Sequence, residues 1–314
     1  MRRGNGPGAE RVDPGDERPI PDGRTFALLL THDVDRPYKT YQSLYYAVTE
    51  PERRRHHLAS ALPGVNPYWQ FENVAALEED LGVRSAFYAL CEQRLLRDRP
   101  VRDWLTVAGW QLYAGRYDVE EPRIRRTLRR LDRGGWEVGL HGSYDSSDDR
   151  ERLRAEKARV ERALGGAVRG GRQHYLNLDP PETWRHHRSI GLRYDASLGS
   201  SDEYGFRHGH GVLRPFDDEF VVFPLTLMEQ ALPDPSASFE DAWAVCESLL
   251  EEAREEGAVM CVLWHPRHFS DGDFPGHLAL YRRLVARALE LGAWVGPPGE
   301  FYDVADLKRP PSGR

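Results

Sequence analysis

Ionisable side chains follow short apolar runs at four places in this sequence. The run Phe-Ala-Leu-Leu-Leu, residues 26–30, leads into Thr-His-Asp-Val-Asp, so Asp33 and Asp35 stand two positions apart. His141, the segment 172–175 (Arg-Gln-His-Tyr) and His265 follow three further apolar runs. Together they supply carboxylates, imidazoles and one guanidinium, groups that transfer protons and bind cations. We interpret this recurrence as a functional site rather than as isolated turn or core residues.

The elements that must position these groups alternate along the chain. Continuous apolar runs indicate strands buried on both faces, and the stretches between them have helical periodicity and end at glycines. Strict alternation predicts parallel strands joined by right-handed crossovers, and about seven such units favour a barrel. Functional groups are then expected past the carboxyl ends of the strands. The predicted strands are 26–30, 84–90, 136–140, 167–170, 192–194, 220–223, 258–264 and 293–295, and the predicted helices are 74–81, 122–132, 148–164, 181–190, 238–256 and 276–291.

Four segments do not fit this alternation. Residues 36–70 and 104–117 are predicted to be irregular insertions. Residues 1–23 and 305–314 are predicted to be disordered tails, because they are rich in Gly, Pro and charged residues. One catalytic domain is therefore expected over residues 24–304.

Composition and charge exclude several classes of protein. The net charge is −7, and the arginine clusters alternate with acidic residues, which argues against a nucleic-acid binder. No apolar run approaches the ~20 residues that span a bilayer, and the N-terminus has no signal-peptide pattern. The three cysteines are far apart and form neither a disulfide framework nor a metal knuckle. These features lead us to expect a cytoplasmic protein with reduced thiols.

The ordered segments resemble the motifs of the polysaccharide deacetylases (carbohydrate esterase family 4, the NodB homology domain). The family's first motif is TFDD, or SFDVD in a subgroup, and residues 31–35 (Thr-His-Asp-Val-Asp) are similar to the subgroup form. Its H-S/T-x-x-H motif falls at His141, its R-x-P-x motif at 172–175, and its L-x-L-H motif at 262–265. The resemblance covers roughly residues 26–295. It implies a deformed (β/α)7 barrel that hydrolyses N- or O-acetyl groups of glycans with a divalent metal.

By this resemblance, the main site residues receive roles. Asp33 would be the general base, Asp35 and His141 metal ligands, and His265 the general acid. Arg172 would pair with Asp33 and hold it ionised.

Two further residues receive roles as well. The backbone N–H of Tyr175 would help to stabilise the oxyanion. Asp195 would orient His265, as a carboxylate does for a catalytic imidazole.

The third metal ligand is left open, because the second motif departs from the family's pattern. Four positions after His141 the family has a second histidine and this chain has Asp145, which could equally cap the following helix. His174, where the family has proline, is the rival ligand. Mixed Asp and His ligation makes one Zn²⁺ the default expectation, with iron, manganese, cobalt or nickel also admitted.

The expected function is removal of an acyl group, N-acetyl in the first place, from a sugar. Because a cytoplasmic enzyme would not meet cell-wall polymer, the expected substrate is a nucleotide sugar, a lipid-linked saccharide or a small acylated metabolite. One alternative is a hydrolase of non-sugar C–N bonds, since related barrels act on cyclic amides and ureides. Another is a non-catalytic barrel that binds saccharide.

Overall fold

The computed structural model describes residues 17–62 and 64–309, in which nine strands and twelve helices alternate. The predicted tails therefore fall largely on residues outside the described part of the chain. The strands are β1 (Ala27–Val34), β2 (Ala86–Leu90), β3 (Glu137–Gly142), β4 (Gly170–Gln173), β5 (Tyr194–Asp195), β6 (Val221–Val222), β7 (Leu225–Met228), β8 (Val259–Leu263) and β9 (Trp294–Gly296). The helices are α1 (Gln42–Thr49), α2 (Arg54–Ala59), α3 (Phe71–Asp80), α4 (Leu95–Asp98), α5 (Val101–Trp104), α6 (Val107–Tyr113), α7 (Pro122–Arg133), α8 (Arg150–Leu164), α9 (Glu182–Ser189), α10 (Phe239–Glu256), α11 (His277–Glu290) and α12 (Pro298–Val304).

All strand pairs of the central sheet are parallel, in the order β6-β5-β4-β3-β2-β1-β8-β7, and β9 pairs with the first half of β1. Strands β6 and β7 stand at the two ends of this order, yet only Phe223 and Pro224 separate them in the chain. The two ends of the sheet must therefore meet, which requires the sheet to curl. The tyrosine hydroxyls of Tyr88 on β2 and Tyr194 on β5 lie 3.2 Å apart across the interior. The predicted deformed barrel is thus confirmed.

Strand β1 shows how the sequence separates the inside of the barrel from the helix layer. Leu28 and Leu30 belong to the core between sheet and helices, whereas Ala27 and Leu29 belong to the core inside the barrel. Side chains alternate between the two faces of a strand, so odd-numbered residues of β1 point inward. Continuing this alternation places the carboxylate of Asp33 at the inner, carboxyl end of the strand.

The observed elements agree with the predicted ones in most places, but α4, α5 and α12 were not predicted, and three further differences concern the strands and the insertions. The fourth strand lies three residues later than 167–170, at Gly170–Gln173. The predicted strand 220–223 ends early, and a further strand follows Pro224, which has no N–H to give to a ladder. The two predicted irregular insertions contain helices: α1 and α2 lie in the first, and α6 in the second.

Parts of the predicted tails contact the barrel. Glu17 forms an antiparallel bridge with Val212, and its carboxylate accepts a hydrogen bond from Arg214 at 2.7 Å. Leu307 is fully buried, and its carbonyl oxygen accepts from the same guanidinium. Arg214 therefore ties residues near both chain ends to the barrel. The domain bounds 24 and 304 stay predictions.

A buried carboxylate joins four elements beneath the carboxyl end of β1. Glu78 on α3 accepts hydrogen bonds from Ser85, Trp136 and Tyr281, at 2.6–2.8 Å, and lies 2.9 Å from Nε2 of His32. His32 belongs to β1, Tyr281 to α11, and Ser85 and Trp136 precede β2 and β3. Because an ionised carboxylate buried in a core is tolerated only when donors surround it, this network fixes α3 and α11 against the sheet.

We expect Glu78→Ala to lower the free energy of unfolding by about 3 kcal/mol or more, because it leaves several buried donors without an acceptor. Glu79→Ala is the matched control, since its neighbouring side chain is 71% exposed, and it should change stability by less than about 0.5 kcal/mol. Chemical denaturation of both variants measures the difference. Equal stabilities would show that the network does not hold the helices to the sheet.

Candidate metal centre and active site

The site lies where four strands end on the same side of the barrel. Asp33 belongs to β1 and Asp35 follows it directly; His141 belongs to β3, and His265 follows β8. His174 begins a short 3-10 turn, His174–Leu176, directly after β4. Since all these strands are parallel, their carboxyl ends bring the five side chains to one edge, as the sequence predicted for this fold.

Asp35, His141 and His174 form a group able to hold a metal ion. One ligand atom from each lies within 4.8 Å of the other two. Nε2 of His141 is 3.1 Å from Oδ1 of Asp35, and Nε2 of His174 is 3.8 Å from the same oxygen. One carboxylate and two imidazoles are a ligand set suited to zinc and to other divalent transition metals.

Both imidazoles are oriented by acceptors on their other nitrogen. Nδ1 of His141 donates to the carbonyl oxygen of Arg172 at 2.9 Å, and Nδ1 of His174 donates to the carboxylate of Glu92 at 3.1 Å. The Nε2 lone pairs are therefore directed at Asp35. Nε2 of His174 is buried and has no hydrogen-bond partner among the described residues. A buried imidazole nitrogen that accepts no hydrogen bond is available to coordinate a cation. The three side chains therefore fit a metal ion.

Charge at this centre favours a cation. Burial would raise the pKa of the Asp35 carboxyl, but His174, His141 and His265 outweigh it and hold the pKa well below its ordinary value. Burial, with Arg116 nearby, lowers the pKa of His174 to about 4, so this imidazole is neutral and able to coordinate. At His141 the carboxylates of Asp33 and Asp35 outweigh burial and raise the pKa, which shows that positive charge is stabilised beside them.

Asp33 and Arg172 form a buried ion pair next to this group. Nη1 of Arg172 donates to Oδ1 of Asp33 at 2.8 Å, and both side chains are almost completely buried. Oδ2 of Asp33 lies 3.6 Å from Nε2 of His141. Burial opposes the charged guanidinium, yet Asp33 outweighs it and raises the pKa of Arg172. The pair fixes the orientation of the Asp33 carboxylate, whose second oxygen is directed towards His141.

His265 is oriented by Glu229, a residue that follows β7. Nδ1 of His265 donates to Oε1 of Glu229 at 2.6 Å, and Nε2 of His265 lies 3.6 Å from Oδ2 of Asp35. Burial would lower the pKa of His265, but Glu229 outweighs it and raises the pKa to about 9. Nδ1 of His268 lies 2.7 Å from the same Glu229 oxygen. The imidazole of His265 is therefore held in a fixed orientation with its Nε2 directed at Asp35.

The expected contact between Asp195 and His265 is not among the contacts of the described residues. Asp195 instead accepts hydrogen bonds from Ser197 and Trp184 and lies 3.2 Å from Nδ1 of His187. It belongs to the short strand β5, two strands further round the sheet than β3, so its side chain supports the β4–β5 loops. The carboxylate that contacts His265 is that of Glu229, whereas the sequence analysis expected Asp195 there.

Asp145 also lies away from the ligand group. A 3-10 turn, Tyr144–Ser146, follows β3 and directs the Asp145 carboxylate towards Tyr113, Arg99 and Arg152. The described residues therefore bring His174, rather than Asp145, to Asp35 and His141. The helix-capping alternative for Asp145 is also wrong, because Asp149 caps α8.

Tyr175 lines the cavity above these residues. This cavity has a volume of about 230 Å³ and reaches Asp33, Asp35, His141, His174 and His265. Tyr175 has a φ of 59° and Leu176 a φ of 52°, in the left-handed region that costs energy for residues other than glycine. Such strain is typical of functional loops and turns the backbone at the wall of the cavity.

The sequence analysis missed two carboxylates, Glu92 and Glu229. Glu92 stands two positions after β2, so the rule that strand ends carry function could have found it. Glu229 was hidden because the four-residue strand before it was not separated from residues 220–223. Neither residue belongs to a motif of the resemblance, and each acts through a histidine.

We expect Arg172→Met to lower the free energy of unfolding by about 3–5 kcal/mol, because it leaves the Asp33 carboxylate buried without a counter-charge. Arg169→Met is the control, because Arg169 pairs with Asp303 at the surface, where an ion pair contributes less than about 1 kcal/mol. Denaturant titration compares the two variants. An effect of Arg172→Met no larger than that of Arg169→Met would contradict this account of the pair.

Comparison with known proteins shows that the fold of this chain is similar to that of several solved structures. No protein-family model and no curated protein sequence matches the chain. A structure from Mycobacterium smegmatis, described as a polysaccharide deacetylase, is 19% identical and covers 92% of this chain and 94% of its own, with a TM-score of 0.59. A Pseudomonas aeruginosa protein of the same description is 16% identical over 91% of each chain, with a TM-score of 0.53. The allantoinase PuuE is 15% identical over 93% of each chain, with a TM-score of 0.55. The chain therefore has the polysaccharide deacetylase fold.

Proposed function

We propose that this protein is a metal-dependent hydrolase that removes an acyl group, N-acetyl in the first place, from a sugar. The observation that supports this proposal is the convergence of three side chains able to hold a metal with a further carboxylate and a further imidazole in a single cavity. Amide or ester hydrolysis requires an activated water, stabilisation of the carbonyl oxygen and a proton for the leaving group. The site contains a residue suited to each requirement.

Asp35, His141 and His174 would hold the metal. A divalent cation bound by them would lower the pKa of water and polarise the acyl carbonyl. Zn²⁺ is the first candidate, and Fe, Mn, Co and Ni remain compatible with two imidazoles and a carboxylate. The acceptors on Nδ1 of both histidines keep their Nε2 atoms available for this purpose.

Asp33 would take the proton from the attacking water. Its Oδ1 is occupied by Arg172, so its Oδ2 is the atom available for proton transfer. Arg172 supplies the buried counter-charge beside this carboxylate.

His265 would give a proton to the leaving nitrogen or oxygen from Nε2, while Glu229 stabilises its charged form. The backbone N–H of Tyr175, in the strained turn at the cavity wall, would donate to the developing oxyanion.

The substrate proposed is an acylated sugar in nucleotide-linked or lipid-linked form. A second candidate is hydrolysis of a non-sugar C–N bond. The allantoinase favours it, since its fold matches this chain about as well as that of the proteins described as deacetylases. Release of acetate from N-acetylated sugars, compared with ring opening of cyclic amides and ureides by the same preparation, separates the two.

We expect the purified protein to contain about one equivalent of zinc or another transition metal. Asp35→Ala, His141→Ala and His174→Ala should each lower the metal content by tenfold or more, because each removes one of three ligands. Asp145→Ala is the matched control and should retain the metal. Elemental analysis measures all five proteins. Loss of metal in Asp145→Ala but not in His174→Ala would reverse the assignment of the third ligand.

The same measurement tests the alternative of a saccharide-binding barrel without activity. A wild-type protein that takes up no metal, even after incubation with zinc, would exclude the proposed hydrolase. Saccharide binding by that metal-free protein would then favour the binding barrel.

We expect His265→Ala to lower kcat by about 10²–10⁴-fold, because the leaving group loses its proton donor. Its metal content should stay at the wild-type level, since His265 is not one of the three ligands. His210→Ala is the control, because His210 pairs with Glu252 away from the cavity. Unchanged kcat in His265→Ala, with any substrate that the wild type hydrolyses, would remove His265 from the mechanism.

A further inference from the structure

The two segments that follow β1 and β2 carry most of the exposed apolar surface of the described chain. We call residues 36–70 and 93–117 the rim segments, because they begin at the carboxyl ends of these strands, where the site lies. Eleven of the fourteen large hydrophobic residues that are exposed among the described residues belong to them. They are Leu44, Tyr45, Val48, Leu58, Leu62, Val65, Leu96, Val101, Leu105, Val107 and Trp110.

Helix α1 in the first rim segment buries polar residues and exposes apolar ones. Its buried residues include Gln42 and Ser43, and Ser43 exchanges a hydrogen bond with Ser60 at 3.1 Å. Its exposed residues include Leu44 and Val48, and Val48 is 76% exposed. A surface helix ordinarily buries its apolar residues. An apolar face directed outward indicates a surface that another partner covers.

The two rim segments form one continuous surface beside the cavity. The rings of Tyr41 and Trp110 are 5.4 Å apart, and Arg36 donates to the carbonyl oxygen of Gln111 at 2.7 Å. The same carbonyl accepts from the hydroxyl of Tyr175, which lines the cavity of the site. The rim segments therefore adjoin the cavity, which Arg36 of the first segment lines and Gln111 of the second contacts through Tyr175.

Charge identifies the kind of partner. The rim segments contain ten Lys and Arg against four Asp and Glu, whereas the whole chain has a net charge of −7. Arg54, Arg55, Arg97 and Arg102 are exposed beside the apolar residues. Helices that lie in a lipid–water interface present apolar and aromatic residues together with Lys and Arg on their polar side, and the rim segments expose both kinds of residue. Arginine side chains near an anionic leaflet are attracted to its negative surface potential.

A second copy of the chain fits this surface less well. A two-fold dimer would place the same patch on both subunits and bring the arginines of one towards those of the other. We therefore propose that the rim segments dock on the surface of an anionic phospholipid bilayer, with the opening of the site beside the membrane. Among the described residues no helix is long and apolar enough to cross a bilayer, and the proposed contact is to the interface alone.

Flotation of the full chain with vesicles tests this proposal. We expect the protein to float with vesicles of phosphatidylcholine and phosphatidylglycerol, and to float far less with phosphatidylcholine alone. The double variant Val48→Asp, Leu105→Asp should lower partition onto the mixed vesicles by about tenfold or more, because it replaces two exposed apolar contacts by negative charges. Val304→Asp is the matched control, since Val304 is 49% exposed on α12, outside the rim segments.

Thermal melting shows whether the variants fold. We expect them to fold, because the substituted positions are exposed. Absence of wild-type flotation, equal flotation of the double variant, or equal flotation with both kinds of vesicle would each overturn the proposal. Sedimentation velocity tests whether a second copy of the chain covers this surface instead. A wild-type dimer that the double variant loses, without vesicle binding, would assign the surface to a second copy and also overturn it.

Discussion

The buried pair of Arg172 and Asp33 is the interaction on which the rest of the structure depends. Asp33 is on β1 and Arg172 on β4, and two strands separate them in the sheet. The pair can form only if the sheet curls so that the two strands face each other across the interior. There the guanidinium also contacts the ring of Tyr88 and the sulfur of Cys261. The guanidinium thus occupies interior space that apolar side chains fill in an ordinary barrel. Its burial is tolerated because the Asp33 carboxylate is fixed beside it as a counter-charge.

The same residue connects the interior to the metal ligands. The side chain of Arg172 holds Asp33, while its backbone carbonyl accepts from His141. The carboxylate proposed as base and one proposed ligand are therefore positioned by a single residue of β4. Around this pair, each functional imidazole has a carbonyl or carboxylate on its far nitrogen. This pattern explains why the site contains more buried carboxylates than the chemistry alone requires.

Much of this arrangement could be predicted from the sequence, because it follows from strand order and alternation. Asp33 and Asp35 share a face because they are two positions apart, and His141 and His265 meet them because parallel strands end together. The choice between Asp145 and His174 could not be made, since it depends on a 3-10 turn that rotates Asp145 outward. The role of Glu229 was equally hidden, because it depends on a short strand after Pro224 that brings a distant segment under His265. Local patterns identify strands well, whereas the direction of a side chain after a strand depends on turns with no strong sequence signal.

The unpaired junction between β6 and β7 has a consequence for motion in the barrel. Described strands on either side of it have no ladder between them, so this is where the wall can widen at the lowest cost in hydrogen bonds. Glu229 follows β7 at that junction, whereas Asp35, His141 and His174 adjoin strands paired on both sides. Because β7 is also paired with β8, breathing of the junction would move Glu229 together with His265 and leave their contact in place. Opening at this point would widen the wall of the barrel without parting Glu229 from His265 or Asp35, His141 and His174 from one another.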